Sequence, residues 1–350
     1  MGKKILMCGN DACGEGAMLA GCTFYAGYPI TPQNELTAYM ARRMVDTGGT
    51  FIQAESELAA INMVLGASAS GFRAMTSSSS PGISLKQEGI SYMAGCELPG
   101  VIVNIQRGGP GLGNIAPAQG DYFQSVKGGG HGDYKVIVLA PASAQELLDH
   151  TSLAFDLSDK YRNPALILGD GLLGQMMEPV EIRTQSSGNN IHNKPWALTG
   201  CAGRKPNIIK SLFLGDGVLE AHNVKLQQKY NTIKAAEVRV EMINSKDSDI
   251  MVVAYGSVAR ISKAAVAKAR AKGIKAGLIR PITLWPFPEK AISEIADKVK
   301  KFLVVEMSAG QMVEDVRLAI CGKAKVSFYG RMGGGIPTEG EILAQIEKIV

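Results

Sequence analysis

The sequence predicts an α/β protein with two successive units, each built on a parallel β-sheet that helices cover. Short β-rich runs alternate with amphipathic helical stretches from residue 3 to about residue 177, a pattern typical of a parallel sheet with helices on both faces. The alternation stops over residues 180–247 and resumes from Asp249 to the C-terminus. Many of the 41 glycines fall where strands should end, as expected for loops whose backbone lines a ligand site.

The first unit, residues 1–180, is predicted to follow this alternation throughout. β-branched and aromatic residues mark each strand, and apolar residues at helical spacing mark each helix. The strands are predicted at 5–7, 23–30, 50–53, 73–77, 100–106, 135–139 and 165–168, and the helices at 13–20, 32–46, 57–70, 81–95 and 144–157.

The remainder of the chain is predicted to form a connection and a second unit. Residues 181–247 contain a polar stretch, a basic run and one long helix predicted near 218–240. We interpret them as an interdomain connection. The second unit, residues 248–350, has strands predicted at 250–255, 276–279, 302–306 and 326–329.

Composition excludes several classes of protein. The net charge of +5 comes without a Lys/Arg block, which argues against nucleic-acid binding. The six cysteines form no C-x-x-C pair, so neither a zinc site nor an iron–sulfur binding run is expected. The N-terminus lacks the apolar core of a signal peptide, and no apolar stretch is long enough to span a membrane. A cytoplasmic protein with reduced thiols is therefore expected.

Two short segments place polar side chains where a predicted strand gives way to a helix. Thr31 precedes Pro32, which suits the first helical position, so Thr31 is predicted to be an N-cap. Ser56 is predicted to cap the next helix, with Glu57 in its first turn. Because open parallel sheets bind ligands at the carboxyl ends of their strands, Thr31 and Glu57 are candidate site residues. The alternative is that Thr31 is only a cap and Glu57 only an acid favoured by the helix dipole.

Further candidates follow later strands. Arg107 comes at the end of a very apolar strand, and its planar guanidinium suits a carboxylate. The alternative is a surface arginine or a structural ion pair. The run 76–82 opens a predicted helix, where it forms either an anion site or only a capped turn. Asn114, Gln119 and His131 lie in loops long enough to reach a site, although a loop histidine is more often exposed.

The order of these motifs resembles the α subunit of the 2-oxoacid:ferredoxin oxidoreductases. The resemblance extends from near residue 5 to the C-terminus, and it is strongest to the 2-oxoisovalerate (3-methyl-2-oxobutanoate, branched-chain) enzyme. It implies a thiamine-diphosphate-binding fold of the pyrimidine type, followed by a transketolase C-terminal-like α/β domain. The segments that carry it are YPITP (28–32), QAESELAA (53–60), MTSSSSPGISLKQEGISYMAG (75–95) and VIVNIQRGGPGLG (101–113).

The resemblance also implies an activity that requires partner chains. Enzymes of this family decarboxylate a 2-oxoacid on thiamine diphosphate, pass electrons through iron–sulfur clusters to ferredoxin, and release the acyl group on coenzyme A. The chain is expected to supply the pyrimidine half of the thiamine site. Mg²⁺ and the clusters are expected on partner subunits, namely a thiamine-binding β subunit, a γ subunit and a ferredoxin-like δ subunit. The run RPITLWPFP (280–288) resembles the transketolase C-terminal domain, where it mainly supports dimer packing.

The resemblance assigns roles to individual residues. Glu57 matches the glutamate that lies beside the aminopyrimidine of the cofactor, and Glu55 is its competitor two residues earlier. Thr31 and Arg107 match positions that contact the substrate. Glu57, Thr31 and Arg107 are thus the expected catalytic residues. The expected cofactor-binding residues are Tyr28, Pro29, Ile30, Thr31 and Glu57.

Two Gly-Asp-Gly sequences imitate the magnesium–diphosphate motif of the family, but neither satisfies it. After the sequence around Asp170, the nearest asparagines, Asn189 and Asn190, come too early. After the sequence around Asp216, Asn244 comes at a passable distance, but the second strand of the motif is not expected there. The chain is therefore expected to hold no metal ion.

Three other functions remain as alternatives. The motifs are shared with the 2-oxoglutarate enzyme of the family, so the substrate stays open. A non-catalytic assembly subunit would have the same two units without a working site. A free-standing nucleotide-dependent oxidoreductase is disfavoured because no G-x-G-x-x-G sequence follows the first strand.

Overall fold

The structure, a computed structural model, describes residues 3–182 and 194–350. The polar stretch 184–192, with Asn189 and Asn190, lies outside the described residues. None of the described helices is long and apolar enough to cross a membrane. The described elements, in chain order, are β1 (Lys3–Cys8), α1 (Gly9–Leu19), β2 (Phe24–Gly27), α2 (Asn34–Thr47), β3 (Thr50–Gln53), α3 (Glu57–Ala69), β4 (Ala74–Ser78), α4 (Ser80–Gly95), β5 (Gly100–Gln106), α5 (Tyr122–Lys127), β6 (Ile137–Leu139), α6 (Ala144–Tyr161), β7 (Pro164–Asp170), α7 (Gly171–Gln175), β8 (Met177–Ile182), α8 (Val218–Ala236), β9 (Val240–Ile243), β10 (Ile250–Val253), α9 (Gly256–Ala271), β11 (Ala276–Pro281), β12 (Thr283–Trp285), α10 (Glu289–Ala296), β13 (Lys301–Glu306), α11 (Met312–Ile320), β14 (Lys325–Gly330) and α12 (Glu339–Ile349).

The first unit is built on a seven-stranded sheet of order β12-β6-β7-β5-β4-β2-β3. Its strands run parallel except at the β12 edge, where β12 pairs antiparallel with β6. Every residue of β5 and β7 is buried, as expected for central strands that helices cover on both faces. The sequence pattern therefore predicted the central strands of this sheet correctly.

Strand β1 was predicted as part of the alternating unit but does not join the parallel sheet. It pairs antiparallel with β8 in a separate two-stranded sheet. Leu6 is 64% exposed, so β1 leaves one face open to solvent. A strand with an open face suits an antiparallel ribbon better than the buried interior of a parallel sheet.

The second unit is a five-stranded sheet of order β14-β13-β10-β11-β9. The helix predicted near 218–240 is too long, because α8 ends at Ala236 and β9 begins at Val240. Valines alternate with Arg239 and Glu241 in this stretch, a period that suits a strand. The strand forms because β11 offers an antiparallel partner at the edge of the sheet.

The two units are joined by side chains as well as by β12. Arg280 of β11 donates to both carboxylate oxygens of Glu146 on α6, at 2.7 and 2.9 Å. The Trp285 ring on β12 packs edge-on against Tyr230 of α8 at 5.8 Å between centroids. The run 280–288 thus ties the second unit to the first within one chain.

Candidate active site at the carboxyl rim of the first sheet

The residues singled out in the sequence gather at one rim, because β3, β2, β4 and β5 are neighbours in the sheet. Thr31 lies in the turn after β2, and Glu57 is the first residue of α3. The serine run joins β4 to α4, and Arg107 directly follows β5. Parallel strands bring these carboxyl ends to the same edge.

Glu57 lies in the first turn of α3, after the Ser56 N-cap, as predicted. The Ser56 hydroxyl accepts a hydrogen bond from the Ala59 amide at 3.1 Å and caps α3. Glu57 is buried, with 6% of its surface exposed, whereas Glu55 is exposed in the bend before the helix. The structure therefore favours Glu57 over Glu55 as the buried acid of this rim.

The Glu57 carboxylate lies against the first turn of α4, where Gly82 leaves room for it. A Cβ atom at Gly82 would lie 2.6 Å from Glu57 Oε1, and it would also collide with Ser78 Oγ. Real Cβ atoms do not approach other heavy atoms so closely. Glycine at this position thus permits the close approach of the two helices.

Thr31 is not the N-cap that the sequence predicted. Helix α2 begins at Asn34, with Gln33 as the N-cap. The Gln33 amide donates to the Ile30 carbonyl at 3.1 Å, which closes a turn over the positions where the first helical residues were expected. The Thr31 hydroxyl instead accepts a hydrogen bond from Asn34 Nδ2 at 3.2 Å.

Arg107 is buried at this rim, and its side chain donates hydrogen bonds to two backbone carbonyls. Its guanidinium donates to the Thr31 carbonyl at 2.9 Å and to the Leu112 carbonyl at 3.0 Å. Only 8% of the residue is exposed, which argues against a surface arginine. Its Nε is buried without a hydrogen-bond partner among the described residues. The structure thus brings together Thr31 and Arg107, the two expected substrate contacts.

The serine run is more than a capped turn. Ser79 is the N-cap of α4 but makes no capping hydrogen bond. The Ser80 amide donates to Asn104 Oδ1 at 3.1 Å, and its hydroxyl donates to Asp121 at 2.6 Å. Burial raises the pKa of the Asp121 carboxyl, although the hydrogen bonds from Ser80 and Asn104 oppose this. The hydroxyls of Ser78 and Ser79 are buried without partners within the described residues.

The loop candidates have other roles. Asn114 is exposed and donates to the Gly333 carbonyl at 2.8 Å. The buried Gln119 side chain donates to the Tyr255 carbonyl at 3.0 Å, which joins the two units. His131 is exposed, and its carbonyl accepts a hydrogen bond from a serine of α4.

The described residues of the two Gly-Asp-Gly sequences make other contacts. Asp170 caps α7 and accepts a hydrogen bond from the Ser257 hydroxyl at 2.7 Å. After Asp216 a strand does follow, contrary to expectation, but that strand is β9 and belongs to the second sheet. The Asn244 carbonyl accepts a hydrogen bond from Ser248 Oγ at 2.5 Å. No group of three or more His, Cys, Asp or Glu side chains is placed to hold a metal ion in residues 3–182 and 194–350.

Lys86 is the residue that the sequence analysis missed. It is fully buried, and its ammonium donates to Thr76 Oγ1 at 3.1 Å and to the Glu57 carbonyl at 3.3 Å. Burial lowers the pKa of Lys86 from its usual 10.5 to about 8, and attraction to Glu57 partly opposes this. The signal was its spacing, since it lies three residues after Ile83 and four before Ile90 on the buried face of α4.

Known proteins match both units. The family described as pyruvate flavodoxin/ferredoxin oxidoreductase, thiamine diphosphate-binding, matches residues 15–245. The family described as pyruvate:ferredoxin oxidoreductase core domain II matches residues 248–342. The chain belongs to the 2-oxoacid:ferredoxin oxidoreductase family. It is an α-type subunit of this family of enzymes, as its motifs predicted.

Curated members of the family cover nearly the whole chain. The chain is 51% identical to the ketoisovalerate oxidoreductase subunit VorB of Methanothermobacter thermautotrophicus, over 97% of this chain and 96% of that protein. It is 35% identical to the 2-oxoglutarate synthase subunit KorA of the same organism, over 100% of both. Within this 2-oxoacid:ferredoxin oxidoreductase family, the predicted resemblance to the 2-oxoisovalerate enzyme is confirmed.

Two solved structures share the fold. The 2-oxoglutarate:ferredoxin oxidoreductase from Magnetococcus marinus, with 2-oxoglutarate, coenzyme A and succinyl-CoA bound, has a TM-score of 0.87 and 27% identity. The match covers 99% of this chain and 65% of that one. A split-gene transketolase, an inactive β4 tetramer, has a TM-score of 0.61 at 14% identity and shows the fold alone. The predicted fold class, a pyrimidine-type thiamine-binding unit followed by a transketolase C-terminal-like unit, is confirmed.

The rim residues fit the aminopyrimidine of thiamine diphosphate. That ring carries basic nitrogens and an amino group, so an acid and hydrogen-bonding groups such as hydroxyls suit it. Glu57 provides a buried acid, and the Ser78 and Ser79 hydroxyls lack partners within the described residues. Because Gly82 has no Cβ atom, the Glu57 carboxylate and the Ser78 hydroxyl can both lie beside the first turn of α4.

Proposed function

We propose that the chain is the α subunit of a coenzyme A-dependent oxidoreductase that converts a branched-chain 2-oxoacid to acyl-CoA and CO₂ and passes the electrons to ferredoxin. The observation that supports this proposal most is the placement of Arg107 on the Thr31 carbonyl, at the same rim as the buried Glu57. The substrate class rests on the greater identity to a ketoisovalerate subunit, 51%, than to a 2-oxoglutarate subunit, 35%.

The first unit, residues 1–180, would bind the pyrimidine half of the cofactor, with residues 181–247 as the connection and 248–350 as the second domain. Bound thiamine diphosphate would supply a nucleophilic carbon for the 2-oxo group and a sink for the electrons left when CO₂ departs. The carboxyl of Glu57 would exchange a proton with the pyrimidine ring. The segment Tyr28-Pro29-Ile30 would line the same ring.

The substrate would be held by two groups of this chain. The guanidinium of Arg107, with its unpaired Nε, would bind the carboxylate of the 2-oxoacid. The Thr31 hydroxyl already accepts a hydrogen bond, so its proton is free to be donated to the 2-oxo group. These residues orient the carboxylate that leaves as CO₂.

Partner subunits would complete the enzyme. We propose that a β subunit binds Mg²⁺ and the diphosphate of the cofactor, and that a γ subunit and a ferredoxin-like δ subunit complete the assembly with its iron–sulfur clusters. The described residues of this chain offer no cluster of metal ligands for these groups. Ferredoxin, the final electron acceptor, would be reduced in the cytoplasm.

The test is the activity of the complex reconstituted with its partner chains. A panel of 2-oxoacids should be assayed with coenzyme A and a one-electron dye. Branched-chain 2-oxoacids should give the highest kcat/KM. A preference for 2-oxoglutarate would instead assign the chain to the 2-oxoglutarate enzyme of the family, to whose subunit KorA it is 35% identical. Activity that does not depend on Glu57 or Arg107 would indicate an assembly subunit.

A further inference from the structure

Lys86 has an unusual environment for a charged side chain. It is fully buried under the first turn of α3, and both of its hydrogen-bond acceptors, the Glu57 carbonyl and Thr76 Oγ1, are neutral. Burying an ammonium ion is costly unless a nearby group compensates its charge. The position of Lys86 therefore calls for an anionic neighbour.

Glu57 is that neighbour. Lys86 donates to the backbone carbonyl of Glu57 on α3, and attraction to Glu57 raises the pKa of the Lys86 ammonium against the larger lowering by burial, while Thr76 from β4 is neutral. The nearest acid on α4 itself, Glu88, hydrogen-bonds to an exposed tyrosine on the same helix. Gly82, where an added Cβ atom would lie 2.6 Å from Glu57 Oε1, lies one helical turn before Lys86 and on the same face of α4.

We propose that Lys86 is a positioning residue for Glu57. It fixes the first turn of α3 through the Glu57 carbonyl, and its positive charge stabilises the carboxylate that remains when Glu57 gives up its proton. The proton passes from the Glu57 carboxyl to a nitrogen of the bound pyrimidine and returns in the reverse step. Lys86 keeps its own protons, and no electrons move. The inference rests on the proposed function of Glu57.

If Lys86 supports Glu57 through its charge, proton exchange at C2 of bound thiamine should depend on the protonation of Lys86. Because the pKa of Lys86 is about 8, its positive charge is present at pH 7 and is lost as the pH rises through about 8. The support for the Glu57 carboxylate is lost with it. Proton exchange at C2 of bound thiamine should therefore slow above about pH 8 in the wild-type complex. A lysine that only filled space would give no such dependence.

The first measurement is hydrogen–deuterium exchange at C2 of thiamine diphosphate in the reconstituted complex, from pH 6 to pH 9.5. With Lys86→Met, exchange at pH 7 should fall by about tenfold or more, because the Glu57 carboxylate then lacks its buried positive neighbour, and the decline above pH 8 should disappear. Lys229→Met is the matched control, because burial also lowers the pKa of Lys229 to about 8. Its ammonium pairs instead with Glu97 on another surface, so its profile should match the wild type.

The second measurement needs no cofactor. Lysine-selective NMR of the full chain, with the Lys86 signal assigned by its loss in Lys86→Met, reports the titration of Lys86 directly. In Glu57→Gln the titration midpoint of Lys86 should move to lower pH, because an attractive negative charge has been removed. An unchanged midpoint would show that the two groups are not coupled and would overturn the proposal.

The two experiments separate the failure of this inference from that of the proposed function. If Lys86→Met exchanges like the wild type while Glu57→Gln exchanges slowly, Lys86 has no positioning role and the role of Glu57 stands. If Glu57→Gln itself exchanges rapidly, the proposed function fails, and the positioning role of Lys86 fails with it. Slow exchange in both variants, together with the shifted Lys86 midpoint, supports both proposals.

Discussion

Replacing Lys86 with methionine should stabilise the folded chain at neutral pH. The side chain is fully buried, and the pKa of Lys86 falls from 10.5 to about 8 because the charged form is poorly solvated there. This lowering of the pKa, at about 1.4 kcal/mol for each pH unit, corresponds to a cost of about 3 kcal/mol for keeping the charged ammonium buried at pH 7. Methionine has a similar length and no charge, so it removes this cost.

Part of that gain is lost with the hydrogen bonds. The ammonium group donates to Thr76 Oγ1 and to the Glu57 carbonyl, and an unpaired buried hydroxyl costs about 1–2 kcal/mol. The net stabilisation expected for Lys86→Met is therefore about 1–2 kcal/mol at pH 7. Urea unfolding of the purified chain, followed by circular dichroism, measures this difference.

The pH dependence of the stability difference shows whether the buried charge of Lys86 causes it. The folded pKa of Lys86 lies below its unfolded value, so the unfolded chain binds more protons between about pH 8 and pH 10.5. The free energy of unfolding of the wild type therefore increases as the pH rises through this window and decreases as the pH falls through it. The advantage of Lys86→Met over the wild type should consequently shrink above pH 8. A variant that is less stable than the wild type at pH 7, or an advantage that does not change with pH, would refute the reasoning.

Further substitutions test the site itself. Glu57→Gln should slow C2 exchange of bound thiamine by about 100-fold or more, since it cannot exchange a proton with the ring, whereas Glu55→Gln should leave it unchanged; the reverse result would mean that Glu55 is the catalytic acid. Arg107→Ala should lower kcat/KM for the 2-oxoacid by an amount equivalent to about 2–5 kcal/mol with little change in thiamine affinity, and unaltered saturation kinetics would contradict a substrate contact. Gly82→Ala should displace the Glu57 carboxylate and slow C2 exchange, while Gly66→Ala, where a Cβ meets nothing within 4 Å, should not. The native protein should co-purify with a smaller thiamine-binding chain and a ferredoxin-like chain, and an active homo-oligomer without clusters would exclude this assembly.

Local signals in the sequence were sufficient for features that depend on neighbouring residues. The cap of α3 was predicted because Ser56 and the helix that it starts are adjacent in the chain. The cap of α2 was predicted wrongly, because a turn closed by Gln33 and Ile30 competes for the same residues. Propensity alone does not decide between a helix start and a preceding turn.

Features that depend on distant partners were harder to predict. Strand β9 exists because β11, more than thirty residues later, offers an edge. Arg107 was singled out from its residue type, but its contact with Thr31 comes from packing across 76 positions. The burial of Lys86 follows from the packing of α3 on α4, since lysine is normally a surface residue. Its helical spacing among apolar residues was the one available clue.

The antiparallel pairing of β12 with β6 has a consequence for dissecting the chain. Three residues from the C-terminal half cover the backbone donors and acceptors along one border of the N-terminal sheet. A fragment that stops before residue 248 would leave that border unpaired and available to other chains, and exposed strand borders of this kind promote aggregation. Expression of the N-terminal half alone should therefore give insoluble protein, and a soluble fragment should need residues 283–285 supplied as a peptide or fused to its end.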